Sequence, residues 1–484
     1  MRRLTRLAPV LALALLTGCA VGPGYHRPEV DIPPQHRGAP ADTVAPSLAD
    51  SATRSIADLQ WFDAFQDTTL KGLIGQALAG NHDLRIAAAR VTQARAQAGI
   101  VASALWPWFG LQGSAQRQQI SEDVIDRPGD QITNYFDAGA AVSWEVDVFG
   151  RIRRETWAAR AEARAAEYDR RGVVQSLVAE VAAQYFTLRE LDERLIVARA
   201  TLESRRGTLD LFTKRYKGGV ASRLETSQAE ADLRATAAAI PNLERQIAIT
   251  ENAIQVLLGR SPGPVPREPL VPSTPEPRPV PAGLPSQLLE RRPDVCAAEE
   301  RLRAANDRVG AATAQYFPTI SLTGFLGGQT RDLSSLTNPG AAAWSLAGGI
   351  LQPLFQGGRI RKLNQAARAD WEATAETYLV TAQRSFQETA DALVTVVKLR
   401  EAVVEQERRV DALSVGLRLA KSRYEGGLSS YLEVLDADRQ LYAGANDLAG
   451  ARGDLQRSYV QLYRALGGGW DADVTPAAGG AAAE

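Results

Sequence analysis

The stretch Arg423-Tyr424-Glu425-Gly426-Gly427-Leu428-Ser429-Ser430-Tyr431-Leu432-Glu433-Val434-Leu435-Asp436 lies between two very long helical patterns and reads as a tight turn. A glycine pair suits a helix end, because the left-handed residue after the last turn carries a steric cost for any side chain with a Cβ. Ser430 followed by Glu433 has the capping-box spacing that starts the next helix. The same construction stands earlier as Arg215-Tyr216-Lys217-Gly218-Gly219-Val220-Ala221-Ser222-Arg223-Leu224-Glu225, with Ser222 and Glu225 in the same relation. The offset is 424 − 216 = 208, so the chain reads as a duplicated unit with two helical hairpin tips, at 216–222 and 424–430.

The two tips differ at one position of consequence. Leu224 and Leu432 correspond, as do Glu225 and Glu433, but Asp436 falls opposite Gln228. Leu432 and Asp436 are four apart and project from one helix face. Two readings fit: a solvated acid in a first helical turn, which the helix dipole favours, or one leucine and one carboxylate contributed by each subunit to rings around a symmetric pore.

Outward from the tips the helical patterns are longer than those of ordinary globular proteins. Gly150 to Tyr216 is free of proline over 67 residues, or ~100 Å of α-helix. Val174, Val181, Leu188, Leu195, Leu202, Leu209 and Tyr216 recur every seven residues, with Leu177, Leu191, Ala198 and Phe212 between them. That is a heptad repeat, and after the tip it continues as Leu233, Ile240, Ile247 and Ile254. The offset places Leu441, Leu448, Leu455 and Leu462 as their counterparts, so each hairpin is expected to be an antiparallel coiled coil. Alanine-rich flanks such as Ala235, Ala237, Ala238 and Ala239 either let further helices approach or raise helix propensity. Pro241 predicts a kink or local break.

Before each long helix the period changes from helical to two. Phe109, Leu111, Gly113 and Ala115 alternate with Gly110, Gln112, Ser114 and Gln116, and Phe136, Ala138, Ala140, Val142 and Trp144 form a matching face. The second repeat offers Ile320, Leu322, Gly324 and Leu326, then Trp344, Leu346, Gly348 and Ile350. Two amphipathic β-hairpins are thus expected, at 108–148 and 318–351. Four strands cannot close a membrane barrel, whose smallest single-chain examples have about eight. The strands therefore form a soluble sheet or share a barrel with other chains, and the lack of any other sheet partner favours the second.

Residues 1–18 have the form of an export signal: Arg2, Arg3 and Arg6, an apolar run Leu7 to Leu16, then Leu16-Thr17-Gly18-Cys19. That tetrad resembles a lipobox, which would make Cys19 the lipidated first residue of the mature chain. Cys296 is then without a partner, and its apolar surroundings suggest a buried small residue. A proline-dotted strap (19–60), a first repeat (61–258) opening with a helix over about 69–105, a proline-rich linker (259–285), a second repeat (286–466) and a flexible tail (467–484) complete the order. A net charge of −1 makes neither nucleic acid nor an anionic membrane surface an obvious partner. His26, His36 and His82 lack metal-ligand spacing, and no nucleotide-binding loop or catalytic constellation is seen, so an enzyme, a cofactor and a metal are not expected.

Nearly the whole mature chain resembles the outer-membrane factors of tripartite efflux systems, the TolC/OprM-like family, in its NodT-type lipoprotein branch. The resemblance rests on Cys19 in its lipobox, Gly22-Pro23-Gly24-Tyr25, Trp61-Phe62, Phe149-Gly150-Arg151-Ile152-Arg153, Leu284-Pro285-Ser286, Leu288 through Asp294, Gln356-Gly357-Gly358-Arg359-Ile360 and the two Gly-Gly tips. It implies a mainly α fold with a membrane β-barrel: a homotrimer whose twelve strands, four per chain, form one outer-membrane barrel continued by a long α-helical coiled-coil barrel. It also implies small-molecule export from an RND-type or similar inner-membrane transporter through a periplasmic adaptor, at the outer membrane of a Gram-negative cell. Leu432 and Asp436 match its periplasmic aperture, and Arg423 and Tyr424 match positions that tie inner and outer helices when closed. Arg215, Tyr216, Gly218, Gly219, Arg423, Tyr424, Gly426 and Gly427 match the tip and adaptor contacts. Two rivals stay open on the residues alone: a duct for type I protein secretion, and a lipid-anchored coiled coil that conducts nothing.

Overall fold

The heptads become long helices at the 208-residue offset, and the period-two stretches become strands, with β1 (Trp108–Gln119) and β3 (Thr319–Thr330) 319 − 108 = 211 apart. The computed structural model describes residues 20–38, 65, 67–119, 132–267 and 285–468. The signal segment with Cys19, Trp61-Phe62, residues 120–131, most of the proline-rich linker and the tail from 469 lie outside the described residues. The first repeat runs α1 (Thr68–Gly80), α2 (His82–Ser103), β1 (Trp108–Gln119), β2 (Ile132–Val146), α3 (Arg151–Lys217) and α4 (Arg223–Leu257). The second runs α5 (Pro285–Arg291), α6 (Pro293–Ala314), β3 (Thr319–Thr330), β4 (Ala342–Leu351), α7 (Arg359–Glu425) and α8 (Tyr431–Ala465). Helices α3 and α7 have 67 residues each, and α4 and α8 have 35 each. The duplication has kept helix length to the residue.

The residues group into two compact units, and each draws on both repeats. One holds Ala89–Glu167, Ala297–Leu379 and the described residues up to Glu29. Its four strands form a single antiparallel sheet in the order β1-β2-β3-β4. Phe109 pairs with Val142, Leu111 with Ala140, Ala140 with Leu326, Leu322 with Gly348, and Ile320 with Ile350. The register therefore gathers Phe109, Leu111, Leu326, Trp344, Leu346 and Ile350 on one face, which the chain leaves open, while Trp108, Phe325 and Leu351 fall on the other. The other face carries Gln112, Gln116, Ser321 and Thr323, and the Ser114 hydroxyl donates to Asp137 there. Among the described residues, β1 and β4 have unpaired outer edges.

Beside the sheet, α3 and α6 approach over the buried alanines Ala158, Ala161 and Ala304, a spacing that only small residues permit. Ion pairs Arg154–Asp307, Arg164–Glu300 and Arg308–Glu162 flank that seam. The N-terminal segment docks on the same pair. Arg154 Nε donates to the Val21 carbonyl at 3.2 Å, and Arg27 and the Tyr25 hydroxyl both donate to Glu299. Gly22, at φ +113°, lies where a Cβ would come within 2.5 Å of the Gly310 backbone. Burial raises the pKa of Glu299, but hydrogen bonds from Arg27 and Arg303 outweigh it and hold the carboxyl below its usual range.

The second unit holds Val30–Ala88, Tyr168–Cys296 and the described residues from Val380. Val174, Val181 and Leu188 of the heptad row are buried, Leu195, Leu202 and Leu209 are half-buried, and Tyr216 is 45% exposed. Four expectations need correction. The single helix over 69–105 is two: Asn81 ends α1 and caps α2, its Oδ1 accepting from Leu84 N at 3.0 Å and its Nδ2 donating to the Leu257 carbonyl at 2.9 Å. Gly80 and Gly259 meet backbone to backbone there, with no room for a Cβ on either. The local break expected at Pro241 does not occur: helix α4 is continuous there, because Pro241 is exposed and water can take up the carbonyl its missing N–H leaves over. Cys296 is half-buried, its Sγ 3.4 Å from the Glu290 carbonyl. The fourth correction concerns the capping box at Ser430.

Candidate functional site

Both tips close by the same backbone device. At the first, Gly219 takes φ +75° and Val220 N donates back to the Arg215 carbonyl at 2.9 Å; at the second, Gly427 takes φ +72° and Leu428 N donates to the Arg423 carbonyl at 2.8 Å. These are Schellman closures, and the positive φ is what demands glycine. The caps that follow differ. Ser222 and Glu225 form a full capping box, with Glu225 N donating to Ser222 Oγ at 3.2 Å and Ser222 N donating to Glu225 Oε2 at 2.7 Å. Ser430 makes no side-chain cap, contrary to the spacing: Glu433 N donates to the Ser430 carbonyl at 3.2 Å, and the Glu433 carboxylate lies 3.7 Å from Arg423.

Between the tips lies a shared core of Phe212 and Ala229 from the first hairpin with Leu417, Tyr431, Val434 and Leu435 from the second. The Phe212 and Tyr431 rings lie 4.2 Å apart, and Tyr424 joins them at 5.9 Å from each. Arg215 reaches over Tyr424, donating to its hydroxyl at 3.3 Å, with the guanidinium 5.5 Å from the ring centre. Burial raises the Tyr424 pKa. It pushes Tyr431 up to about 12, with the charges of Asp232 and Asp438 adding to the effect.

Because Tyr431, Val434 and Leu435 face this core, Leu432 and Asp436 are left on the exposed side of α8. Asp436 there accepts from Gln440 Nε2 at 2.6 Å. Arg423, Tyr216, Gly218, Gly219, Gly426 and Gly427 are exposed at the turns, and Arg215 and Tyr424 are half-buried.

The spacing arguments missed a polar lock behind this core. Arg205 on α3 is buried; its Nε donates to Asp438 of α8 at 2.8 Å and its Nη1 donates to the Asp232 carbonyl and to Thr236 Oγ1. Arg439 of α8 donates to Asp232 of α4 at 2.9 Å. The two hairpins thus exchange charges both ways. Arg205 Nη2 and Asp232 Oδ2 are buried without a protein partner, beside a cavity of about 20 Å³ that has room for one water. The available signal was the offset: Arg205 stands 208 residues before Leu413, a cation where the other repeat has a heptad leucine.

Residues 73–260 and 284–468 match the family described as outer membrane efflux protein. The chain belongs to that family. It is 34% identical over 464 residues to the toluene efflux pump outer membrane protein TtgI of Pseudomonas putida, covering 96% of this chain and 98% of the relative. It is 34% identical over 467 residues to the cation efflux system protein CusC of Escherichia coli, covering 96% and 99%. The solved outer-membrane channel OprN superposes with a TM-score of 0.85 at 33% identity, over 93% of this chain and 100% of that one. The protein is accordingly the outer-membrane channel of an efflux system. Its four-stranded sheet is its share of the family's membrane barrel, and its long hairpins are the helical part. Among the described residues, no group of three or more His, Cys, Asp or Glu could hold a metal.

Proposed function

We propose that three copies of this chain form one exit duct, with twelve strands closing an outer-membrane barrel and the hairpins closing a tube that ends at the two Gly-Gly tips. The observation that carries this reading is the sheet: one face with Phe109, Leu111, Leu326, Trp344, Leu346 and Ile350 exposed together, and both outer edges without a partner among the described residues. Burying that face in lipid and pairing those edges with the next chain satisfies both at once. Cys19 carries the lipid that fastens the strap to the same membrane. Small molecules such as solvents or cations, named for the relatives, enter from an inner-membrane transporter through a periplasmic adaptor that meets Gly218, Gly219, Gly426 and Gly427.

Leu432 and Asp436 set the narrow end. Three leucines and three carboxylates from three α8 helices would line an aperture that admits cations more readily than anions, since neighbouring carboxylates repel unless hydrated or countered. Opening moves the second hairpin away from the first, and the adaptor must bind the open arrangement more tightly to drive it. The test is single-channel conductance of the full-length protein in a planar bilayer, wild type beside Leu432→Ala/Asp436→Ala. Small, cation-selective events that grow several-fold in the variant are expected. Equal conductance and selectivity from both, in inserted trimers, would overturn the aperture.

A further inference from the structure

Where strand passes into long helix, each repeat carries the same motif: Gly150-Arg151-Ile152-Arg153-Arg154 before α3 and Gly358-Arg359-Ile360-Arg361-Lys362 before α7. The offset is again 358 − 150 = 208, and the two glycines share φ values of +80° and +84°. In the first copy each cation is neutralised. Arg151 pairs with Glu145 at 2.8 Å and Glu155 at 3.1 Å, Arg153 with Asp147 at 3.1 Å, and Arg154 with Asp307 at 2.8 Å.

In the second copy the local carboxylates are gone. Glu145, Asp147 and Glu155 have Pro353, Phe355 and Leu363 at the offset positions. Arg359 donates to Gln356 and Lys362 to Gln365, both neutral, and among the described residues none of Arg359, Arg361 and Lys362 meets a carboxylate. All three are exposed. Next to them, following directly from the apolar face of β4, Leu354 is 93% and Phe355 89% exposed. A duplicated motif has thus kept its cations, lost its anions and gained bare hydrocarbon. Nothing among the described residues of the chain rewards that combination. A membrane interface does, because basic side chains just outside a spanning segment meet anionic headgroups while the adjoining apolar residues enter the acyl region.

We propose that Arg359, Arg361 and Lys362 form a docking surface for anionic phospholipid headgroups, with Leu354 and Phe355 seated in the hydrocarbon beside them. The proposal rests on the sheet standing in the outer membrane. The chain's net charge of −1 conceals this surface, because the balancing acids lie elsewhere. The first junction, with its closed set of ion pairs, has no such role and holds the fold together.

The test counts lipid retained by delipidated full-length protein in detergent, using native mass spectrometry with phosphatidylglycerol or phosphatidylethanolamine as probes. Wild type is expected to prefer phosphatidylglycerol. Arg359→Gln/Arg361→Gln/Lys362→Gln should lose that preference, by about fivefold for each cation removed. The conservative Arg359→Lys/Arg361→Lys variant should keep it, and millimolar inorganic phosphate should not displace the lipid. Equal retention of the two lipids by wild type, undiminished preference in the glutamine variant, loss in the lysine variant or displacement by phosphate would each overturn the proposal. Retention of neither lipid would instead strike at the membrane placement of the sheet.

Discussion

The first and second hairpins have the same helix lengths, the same glycine closures and many of the same tip residues at an offset of 208, yet their end side chains make different contacts. The first tip ends in a self-contained capping box. The second leaves Ser430 uncapped, ties Glu433 to Arg423, and alone carries a carboxylate at the Asp436 position. The first hairpin contributes the buried Arg205 and Asp232, and the second contributes Asp438 and Arg439 to meet them. Duplication copied a backbone, and the copies then made complementary contacts: the first tip is capped within itself, and the second hairpin supplies Asp438 and Arg439 to charges on the first.

The largest effect is expected from making the hairpins alike at Arg205. Arg205→Leu installs the residue the second repeat has at Leu413 and strands Asp438 without its partner. Removing one member of a buried ion pair costs about 3–5 kcal/mol, so the denaturation midpoint should fall and hydrogen exchange should rise in α4 and α8. Adding Asp438→Leu should recover more than half of the loss, since a buried pair can be exchanged for apolar residues at little cost. A double variant no better than the single one would show that the pair does not link the hairpins.

A smaller effect separates the tips by charge. Asp436→Gln should lower the cation preference of the channel severalfold, whereas Gln228→Asp, which gives the first tip the same acid, should leave selectivity unchanged in planar bilayers. Equivalent responses would place both tips on the conducting path. Smaller again is the cap: Ser222→Ala should cost about 1 kcal/mol of stability in denaturant titrations. Ser430→Ala, which removes no side-chain cap bond, should cost a few tenths at most.

The last contrast is in alkali. Tyr431 is raised from 10.0 to about 12, so its neutral form is favoured in the fold. Its stabilisation is complete below pH 10 and is lost as pH rises towards 12, where the unfolded chain ionises first. Unfolding midpoints measured from pH 9 to pH 12 should therefore fall more steeply for wild type than for Tyr431→Phe.

The heptads, the strand alternation, the glycine turns and the offset were legible in the sequence because each is a local pattern with a period that one chemistry explains. The break at Asn81 was not, since the apolar period runs on through it and only the meeting of the Gly80 and Gly259 backbones requires it. The Ser430 cap failed for a related reason: spacing shows which bond is available, but not that the Glu433 amide bonds the Ser430 carbonyl instead of its hydroxyl. Leu432 and Asp436 could be placed on one helix face from their separation alone. That this face turns away from the tip core depended on where Phe212 and Tyr431 pack.

By itself, then, the sequence determined the alternation of strand pairs with long helices, the two equal hairpins and an apolar face on each strand, because backbone preference and side-chain period act within a few residues. Only the tertiary structure decided which charges meet. Arg205 and Asp438 are 233 positions apart and lie 2.8 Å from each other, while Arg359 and Arg361 stand beside apolar residues and meet no carboxylate among the described residues. Ion pairing is set by distance in space and by the loss of water around it, and neither is written along the chain.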